Sequence, residues 1–212
     1  MPNGKLITLE GIDGTGKSTQ ALRLATRLPE LYPSRKWFFT REPGDTILGS
    51  YVREALFSSV RDGGQEPSPI TQLLLMSASI SHKVDEVIRP ALAAGGCVVS
   101  DRYFDSAFVY QRQAGIPVDT IKFISLFAAQ KCTPNLTFLL DMDAEKALNR
   151  ARSSKNANFY EDKPVEYFRE LRRLYLDLAK KNPGRFVVLN ADLPADEVHL
   201  HLVNYIAKYL GD

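Results

Sequence analysis

The stretch that decides the fold is Gly11-Ile12-Asp13-Gly14-Thr15-Gly16-Lys17-Ser18, which follows the apolar run Leu6-Ile7-Thr8-Leu9 and precedes a helical pattern. Its spacing, G-x-x-x-x-G-K-[ST], is that of a phosphate-binding loop. The glycines let the backbone curl so that successive N–H groups face inward, and the positive end of the next helix completes the anion site. We therefore predict a nucleoside triphosphate site formed by the residues Gly11, Asp13, Gly14, Thr15, Gly16, Lys17, Ser18 and Thr19.

Two side chains of this loop have distinct expected roles. Lys17 is predicted to reach the outer phosphates, and the hydroxyl of Ser18 is predicted to hold a magnesium ion. The alternative is a glycine-rich turn without a ligand. The predicted strand before the loop and the predicted helix after it favour the phosphate-binding loop over this alternative.

Length, charge and cysteine content limit the classes of protein to consider. A chain of 212 residues suits a single α/β domain, and a net charge of +2 is too small to indicate a nucleic-acid or membrane partner. Cys97 and Cys132 match no metal or redox spacing. No apolar stretch has transmembrane length and no signal peptide begins the sequence, so we expect a cytoplasmic protein.

Strand-like and helix-like segments alternate along the chain, which favours a parallel sheet covered on both faces. The predicted strands are residues 5–10, 36–40, 97–101, 136–141 and 185–190. The predicted helices are residues 17–28, 47–57, 70–94, 119–130, 144–151, 164–180 and 195–209. Ligands of such sheets bind at the carboxyl ends of the strands.

Two further motifs follow predicted strands. Thr40-Arg41-Glu42-Pro43-Gly44 offers a guanidinium for a phosphate, and Asp101-Arg102-Tyr103 offers a carboxylate for the magnesium shell opposite Ser18 and a second guanidinium. Taken alone, the first motif is better explained by a salt-bridged surface arginine beside a tight turn, and the second by a helix N-cap aspartate with a solvated arginine. Together with the loop, they predict one crevice that combines phosphate-binding groups with a metal carboxylate.

These motifs resemble those of the thymidylate kinase family of nucleoside monophosphate kinases, and the resemblance covers nearly the whole chain. Beyond the three motifs, the matching residues are Glu10, Ser106, Tyr110-Gln111, Pro134-Asn135-Leu136, Leu139-Leu140-Asp141 and Arg150-Ala151-Arg152. The resemblance implies a three-layer P-loop NTPase fold, with a five-stranded parallel sheet and helices on both faces. It also implies a single domain over residues 1–212 with a short lid at about residues 150–162, and a homodimer.

The resemblance implies that the protein transfers the γ-phosphoryl group of ATP to dTMP with Mg²⁺. Carried over by position, Asp13 contacts the acceptor sugar or the surroundings of its phosphate, and Arg41 and Arg102 hold that phosphate. Asp101 and Ser18 support the magnesium. The base and sugar pocket is then formed by Ser106, Tyr110, Gln111 and Met76.

Gly14 decides a subtype within this family. One branch carries an arginine at this position, whereas Gly14 resembles the branch whose catalytic cation comes from the lid. The candidates for that cation are Arg150, Arg152 and Lys155, and stabilisation of charge on the transferred group makes such a cation important.

Two departures from the family pattern concern the lid and the base pocket. The lid stretch Asn158-Phe159-Tyr160-Glu161 lacks an arginine that is common there. On the helix after residue 70, Met76 and Ile80 stand where the family has a stacking aromatic residue and a base-binding arginine. Met76 can cover a base face, but Ile80 cannot donate a hydrogen bond.

Three interpretations of these departures are open. Gln111, His82 or a neighbouring residue reads thymine in a diverged thymidylate kinase, which we favour. Alternatively, the acceptor is another nucleoside monophosphate, because motif analogy constrains chemistry more firmly than specificity. The remaining interpretation is a non-catalytic nucleotide-binding protein. The presence of Lys17, Arg41 and Arg102 argues against it, because these side chains would serve catalysis.

Overall fold

The computed structural model describes residues 4–61, 63–153 and 159–211. Within them, the strands are β1 (Lys5–Glu10), β2 (Trp37–Arg41), β3 (Cys97–Asp101), β4 (Leu136–Asp141) and β5 (Phe186–Asn190). The helices are α1 (Lys17–Leu31), α2 (Ile47–Arg61), α3 (Pro69–Lys83), α4 (Arg89–Ala93), α5 (Phe104–Gln113), α6 (Val118–Ala129), α7 (Ala144–Arg152), α8 (Val165–Lys181) and α9 (Ala195–Leu210). A π-helical turn, Val84–Ile88, joins α3 to α4, and a 3-10 turn, Phe159–Asp162, precedes α8.

The strands form one parallel sheet in the order β2-β3-β1-β4-β5. Asp101 at the end of β3 is in register with Arg41 on β2 and with Leu9 on β1. The phosphate-binding loop, Arg41 and Asp101 therefore meet at the same edge of the sheet, as the three strand-end motifs predicted.

Helices cover both faces of the sheet. Leu6 and Val98 belong to one buried cluster, with side chains from α3 and α6, whereas their neighbours Ile7 and Val99 belong to another, with side chains from α1, α8 and α9. Successive side chains of a strand point to opposite faces, so the two clusters lie on opposite sides. The predicted three-layer α/β fold is confirmed. Among the described residues, no helix combines the length and apolar character needed to cross a bilayer.

Helix α5 was missed by the sequence analysis, which placed no helix between residues 101 and 119. Its buried residues include the polar Asp105, Ser106 and Gln111 beside the apolar Phe104 and Val109. Because its buried side is partly polar, the helix lacks the apolar periodicity by which amphipathic helices are recognised.

The predicted continuous helix over residues 70–94 is interrupted by the π-helical turn. In that turn the backbone N–H of Arg89 donates to the carbonyl of Val84, five residues earlier. Pro90 follows at once and has no N–H to donate to a preceding turn. The wider turn thus lies where the regular hydrogen-bond pattern could not continue.

Candidate active site

The phosphate-binding loop joins β1 to α1 and leaves the start of α1 open to an anion. Gly16 precedes the helix with φ 89° and has no side chain to cap it, so the N–H groups of the first turn remain available. Gly14 has φ 85°, and a Cβ there would lie 1.8 Å from the carbonyl oxygen of Ala147 on α7. Close packing of α7 therefore excludes any side chain at position 14, including an arginine.

Lys17 is almost fully buried beside this loop. Its Nζ donates a hydrogen bond of 2.8 Å to the carbonyl oxygen of Ile12. Burial and, to a smaller extent, the nearby guanidinium of Arg102 lower the pKa of Lys17 to about 8. A phosphate beside Lys17 would oppose both effects and favour the charged amine.

Ser18 and Asp101 form the oxygen pair expected for a magnesium ion. The hydroxyl of Ser18 donates to Oδ2 of Asp101 at 2.5 Å. Oδ1 of Asp101 is buried and has no hydrogen-bond partner among the described residues. Hydroxyl and carboxylate oxygens suit Mg²⁺, which usually takes its remaining ligands from water and substrate phosphates. The described residues contain no cluster of three or more His, Cys, Asp or Glu side chains that could hold a metal alone.

Arg102 lines the cavity and is the centre of a hydrogen-bond network. Its Nη1 donates to Ser106 Oγ at 2.9 Å and to the carbonyl oxygen of Gly11 at 3.2 Å, and its Nη2 donates to Asp13. Tyr110 donates to the other oxygen of Asp13 at 2.9 Å. Burial would raise the pKa of Asp13, but Arg102 and Lys17 outweigh it and hold that pKa below its usual value. The predicted residues Asp13, Arg102, Ser106 and Tyr110 therefore share one network.

Beneath this network lies Glu10, which is completely buried. Its Oε1 accepts from the backbone N–H of Tyr103 at 2.8 Å, and its Oε2 accepts from the hydroxyls of Ser106 at 2.6 Å and Tyr175 at 3.1 Å. Burial raises the pKa of Glu10 to about 7. Tyr175 on α8, which the sequence analysis did not single out, thus links α8 to the floor of the site.

Arg41, the last residue of β2, lines the cavity, and a second arginine accompanies it. Arg53 on α2 also lines the cavity, and its Nη1 donates to the carbonyl oxygen of Pro43 at 3.3 Å. Partial burial, together with the neighbouring Arg41 and Arg102, lowers the pKa of Arg53. Three guanidinium groups near one cavity favour an anionic ligand. Arg53 carried no motif by which sequence reasoning could have found it.

Helix α3 forms another wall of the cavity. Met76 lines the cavity together with Gln72, one turn earlier on the same face. Ile80 is fully buried in the cluster with Leu6 and Val98. The position to which the resemblance assigns a base-binding arginine is therefore occupied by a core residue in this chain.

Gln72 connects α3 to α5 and to the 3-10 turn near the lid. Its Oε1 accepts from the hydroxyl of Tyr160 at 3.0 Å and from Nε2 of Gln111 at 3.4 Å, and its own Nε2 donates to the carbonyl oxygen of Pro67 at 2.8 Å. Gln72, Tyr160 and the predicted Gln111 all line the cavity. His82 does not; it pairs with Glu86 at 3.2 Å on the surface of the helix.

Two of the three lid cations named from the sequence are described by the structure, and they lie in different places. Arg150 lines the cavity, with Nη1 donating to the carbonyl oxygen of Ala191 at 3.4 Å. Arg152 points to the 3-10 turn, where its Nε donates to the carbonyl oxygen of Glu161 at 2.9 Å. Lys155, like Asn158 of the lid stretch, lies outside the described residues.

The cavity has a volume of about 830 Å³, near the upper end of the usual range for ligand pockets. Its lining includes the phosphate-binding loop, Arg150, residues 191–195, and side chains from α2, α3 and α5. The same cavity is therefore lined both by the phosphate-binding loop and by several arginine side chains.

This fold and this cavity define a P-loop nucleotide-binding protein. A family model described as thymidylate kinase matches residues 9–202. The thymidylate kinase of Deinococcus radiodurans is 40% identical over 203 residues, which are 95% of this chain and 96% of that protein. For the thymidylate kinase of Chlorobium chlorochromatii the identity is 37% over 210 residues, with 93% and 92% covered.

A solved structure gives the same result. The crystal structure of thymidylate kinase from Ehrlichia chaffeensis superimposes with a TM-score of 0.76 at 30% identity, covering 97% of this chain and 99% of that one. The chain belongs to the thymidylate kinase family. The predicted resemblance, and with it the prediction of a nucleoside monophosphate kinase, is confirmed.

Proposed function

We propose that the protein transfers the γ-phosphoryl group of ATP to dTMP, forming ADP and dTDP. The observation that carries this proposal is the continuous cavity between the phosphate-binding loop and the arginine cluster, in a chain of the thymidylate kinase family. The loop suits the phosphates of the donor, and Arg41, Arg53 and Arg102 suit the single phosphate of the acceptor.

In the proposed reaction, an oxygen of the acceptor phosphate attacks the γ-phosphorus in line, and the bond from that phosphorus to the β-phosphate oxygen breaks. Lys17 and the N–H groups at the start of α1 stabilise the charge that develops on the transferred group. The attacking phosphate is already largely ionised near neutral pH, so no general base is required. Magnesium, held by Ser18 and Asp101, would neutralise charge on the phosphate oxygens.

Our proposal keeps a cation from the lid side of the site in a catalytic role. Arg150 already lines the cavity, whereas Arg152 is directed to the 3-10 turn. Steady-state kinetics of Arg150→Ala, Arg152→Ala and Lys155→Ala test the three candidates. The catalytic residue is the one whose loss lowers kcat by an order of magnitude or more.

The wider proposal is tested with MgATP and a panel of nucleoside monophosphates in an assay coupled to ADP release. Turnover of dTMP in preference to the others supports it. Preference for another monophosphate supports the alternative suggested by Ile80, which offers no hydrogen bond to a base. Absence of turnover with every acceptor would favour a nucleotide-binding protein without catalysis.

We also propose that the protein is a homodimer that packs through α3 and α6. These adjacent helices carry large exposed apolar side chains: Leu74 is 53% exposed, Phe123 70% and Phe127 77%. The rings of Phe123 and Phe127 stack with centroids 6.2 Å apart. Large exposed apolar patches mark interaction sites. Sedimentation should show a dimer at micromolar concentration, and Phe123→Ser with Phe127→Ser should yield a monomer.

A location in the cytoplasm is part of the same proposal. Its support is chemical: the proposed reaction consumes ATP, and both cysteines of the chain, Cys97 and Cys132, are free thiols, as is usual for proteins of reducing compartments. Fractionation of cells that express the tagged protein tests this location.

A further inference from the structure

Lys83, the last residue of α3, is a lysine without any exposed side-chain surface. Its Nζ lies 2.8 Å from Oε2 of Glu42, whose side chain is also 0% exposed. The same Nζ donates a hydrogen bond to the backbone carbonyl of Arg41. Lysine is almost never fully buried unless it is paired, because removing the ammonium group from water is costly.

Stability alone is a weak explanation for this pair. Buried ion pairs can often be replaced by apolar residues of similar volume without loss of stability. Burial raises the pKa of Glu42, although Lys83 beside it opposes that rise. Burying the pair therefore costs free energy of desolvation. A role for Lys83 beyond stability is to be sought in the two groups that it contacts.

Both partners of Lys83 belong to the turn that carries the phosphate-binding arginine. One is the carbonyl of Arg41 itself, and the other is the next side chain in the sequence. The backbone N–H of Glu42 donates to the carbonyl of Asp101 at 2.9 Å, and Arg53 donates to the carbonyl of Pro43. The turn is thus held by β3 on one side, by α2 on another, and by Lys83 from α3.

The position of Lys83 on α3 adds a second consequence. Met76, which lines the cavity, lies two helical turns before Lys83 on the same helix, about 10 Å along its axis. Lys83 therefore connects the helix that forms the wall beside Met76 to the turn that presents Arg41. A rigid link of this kind sets the separation between a base and its 5′-phosphate.

We propose that Lys83 is a positioning residue for the acceptor phosphate: it holds the backbone of Arg41 so that the guanidinium meets that phosphate. The role rests on the proposed function, since it assumes a nucleoside monophosphate between α3 and Arg41. Among the described residues, the Nζ of Lys83 forms its polar contacts with Arg41 and Glu42 and with no group of the phosphate-binding loop or of residues 191–195, so we expect the ATP side of the cavity not to depend on it.

The experiment compares Lys83→Met, the double variant Lys83→Met/Glu42→Gln, and Lys181→Met as a control. Lys181 lies in the last turn of α8 and forms a surface ion pair with Asp177 at 3.0 Å. Its variant therefore also removes an ion-paired lysine at a helix end, but outside the site. For each protein, the KM for dTMP, the KM for ATP, kcat and the thermal unfolding midpoint are measured.

We expect Lys83→Met to raise the KM for dTMP about tenfold or more, which corresponds to a lost charge-assisted contact, and to leave the KM for ATP within about twofold. The double variant removes the unpaired buried carboxylate and should recover stability, but its KM for dTMP should stay high because Arg41 still lacks the donor. Lys181→Met should match the wild type in all four measurements.

A double variant that regains both stability and the wild-type KM for dTMP would overturn the proposal, since Lys83 would then be structural only. Equal changes in the two KM values would overturn it as well. If Lys83→Met does not fold, the double variant carries the test. The proposed function is tested separately by wild-type turnover of dTMP; if that fails, the same comparison is made on the monophosphate that binds best, with calorimetric Kd values.

Discussion

The proposed donor and acceptor sides of the cavity are built in different ways. The donor side depends on one continuous stretch of backbone, closed so tightly by α7 that Gly14 tolerates no side chain. The acceptor side is assembled from single side chains on β2, α2, α3 and α5. Backbone groups bind the phosphates, which all nucleoside triphosphates share, and a substitution cannot remove them. Single side chains, in contrast, can be substituted one at a time. We therefore expect substitutions to abolish activity on the donor side and to alter substrate use on the acceptor side.

The largest effect is expected from Lys17→Ala on the donor side. Loss of the positioned ammonium should lower kcat about a hundredfold to a thousandfold, because few other groups can replace its charge at the phosphates. Circular dichroism should show an unchanged fold. Lys208→Ala, at an exposed position on α9, is the control. If the Lys17 variant kept most of its activity, the proposed role of the loop in catalysis would be wrong.

Arg41→Ala is the corresponding test of the acceptor side. It should reduce kcat/KM for dTMP about tenfold to a hundredfold while the KM for ATP stays close to that of the wild type. Arg169→Ala, at an exposed position on α8, should change neither value. If only ATP binding suffers in the Arg41 variant, the two sides of the cavity have been assigned the wrong way round.

Glu10 lies beneath both sides, and its effect should appear in stability as a function of pH. Its pKa is about 7 in the folded protein, against an ordinary value of 4.5. The folded state therefore binds the extra proton between these values, and stability is lost as pH rises from about 5 to about 7, by about 3 kcal/mol at most.

Glu10→Gln removes this group, so the variant should lose less stability than the wild type over the same pH interval. Urea denaturation at pH 5, 6, 7 and 8 measures the difference between the two proteins. Carboxylates with lowered pKa values, such as Asp13, act in the opposite direction but are common to both proteins. Identical pH profiles would show that Glu10 is ionised throughout.

The smallest effect is expected from Gln72→Met on the wall formed by α3. The substitution removes the hydrogen-bond acceptor of Tyr160 and Gln111. The side-chain amide of Gln111 can then rotate by about 180° and exchange its donor and acceptor groups. The preference for dTMP over dCMP, expressed as the ratio of kcat/KM values, should fall about fivefold, the equivalent of one hydrogen bond. Gln113→Met, outside the cavity on α5, is the matched control. An unchanged ratio would exclude Gln72 from base selection.

The difference between the two sides also explains which parts of the site could be predicted. Lys17, Ser18, Arg41 and Asp101 belong to short motifs at strand ends, and the parallel sheet brings such ends together. Gln72 and Arg53 are isolated polar residues on helices and carry no motif. For Gln72 one signal was present, since it lies four residues before Met76 and therefore on the same helical face.

The sequence by itself determined the alternation of strands and helices, the parallel sheet and the phosphate-binding loop, because each depends on periodicity or on spacing within a few residues. Tertiary structure alone decided that α5 buries polar side chains, that Ile80 faces the core, and that Lys83 reaches Glu42. Those outcomes depend on contacts between residues distant in the sequence. The local sequence pattern around a residue does not show which side chain, distant in the sequence, it will contact in the folded protein.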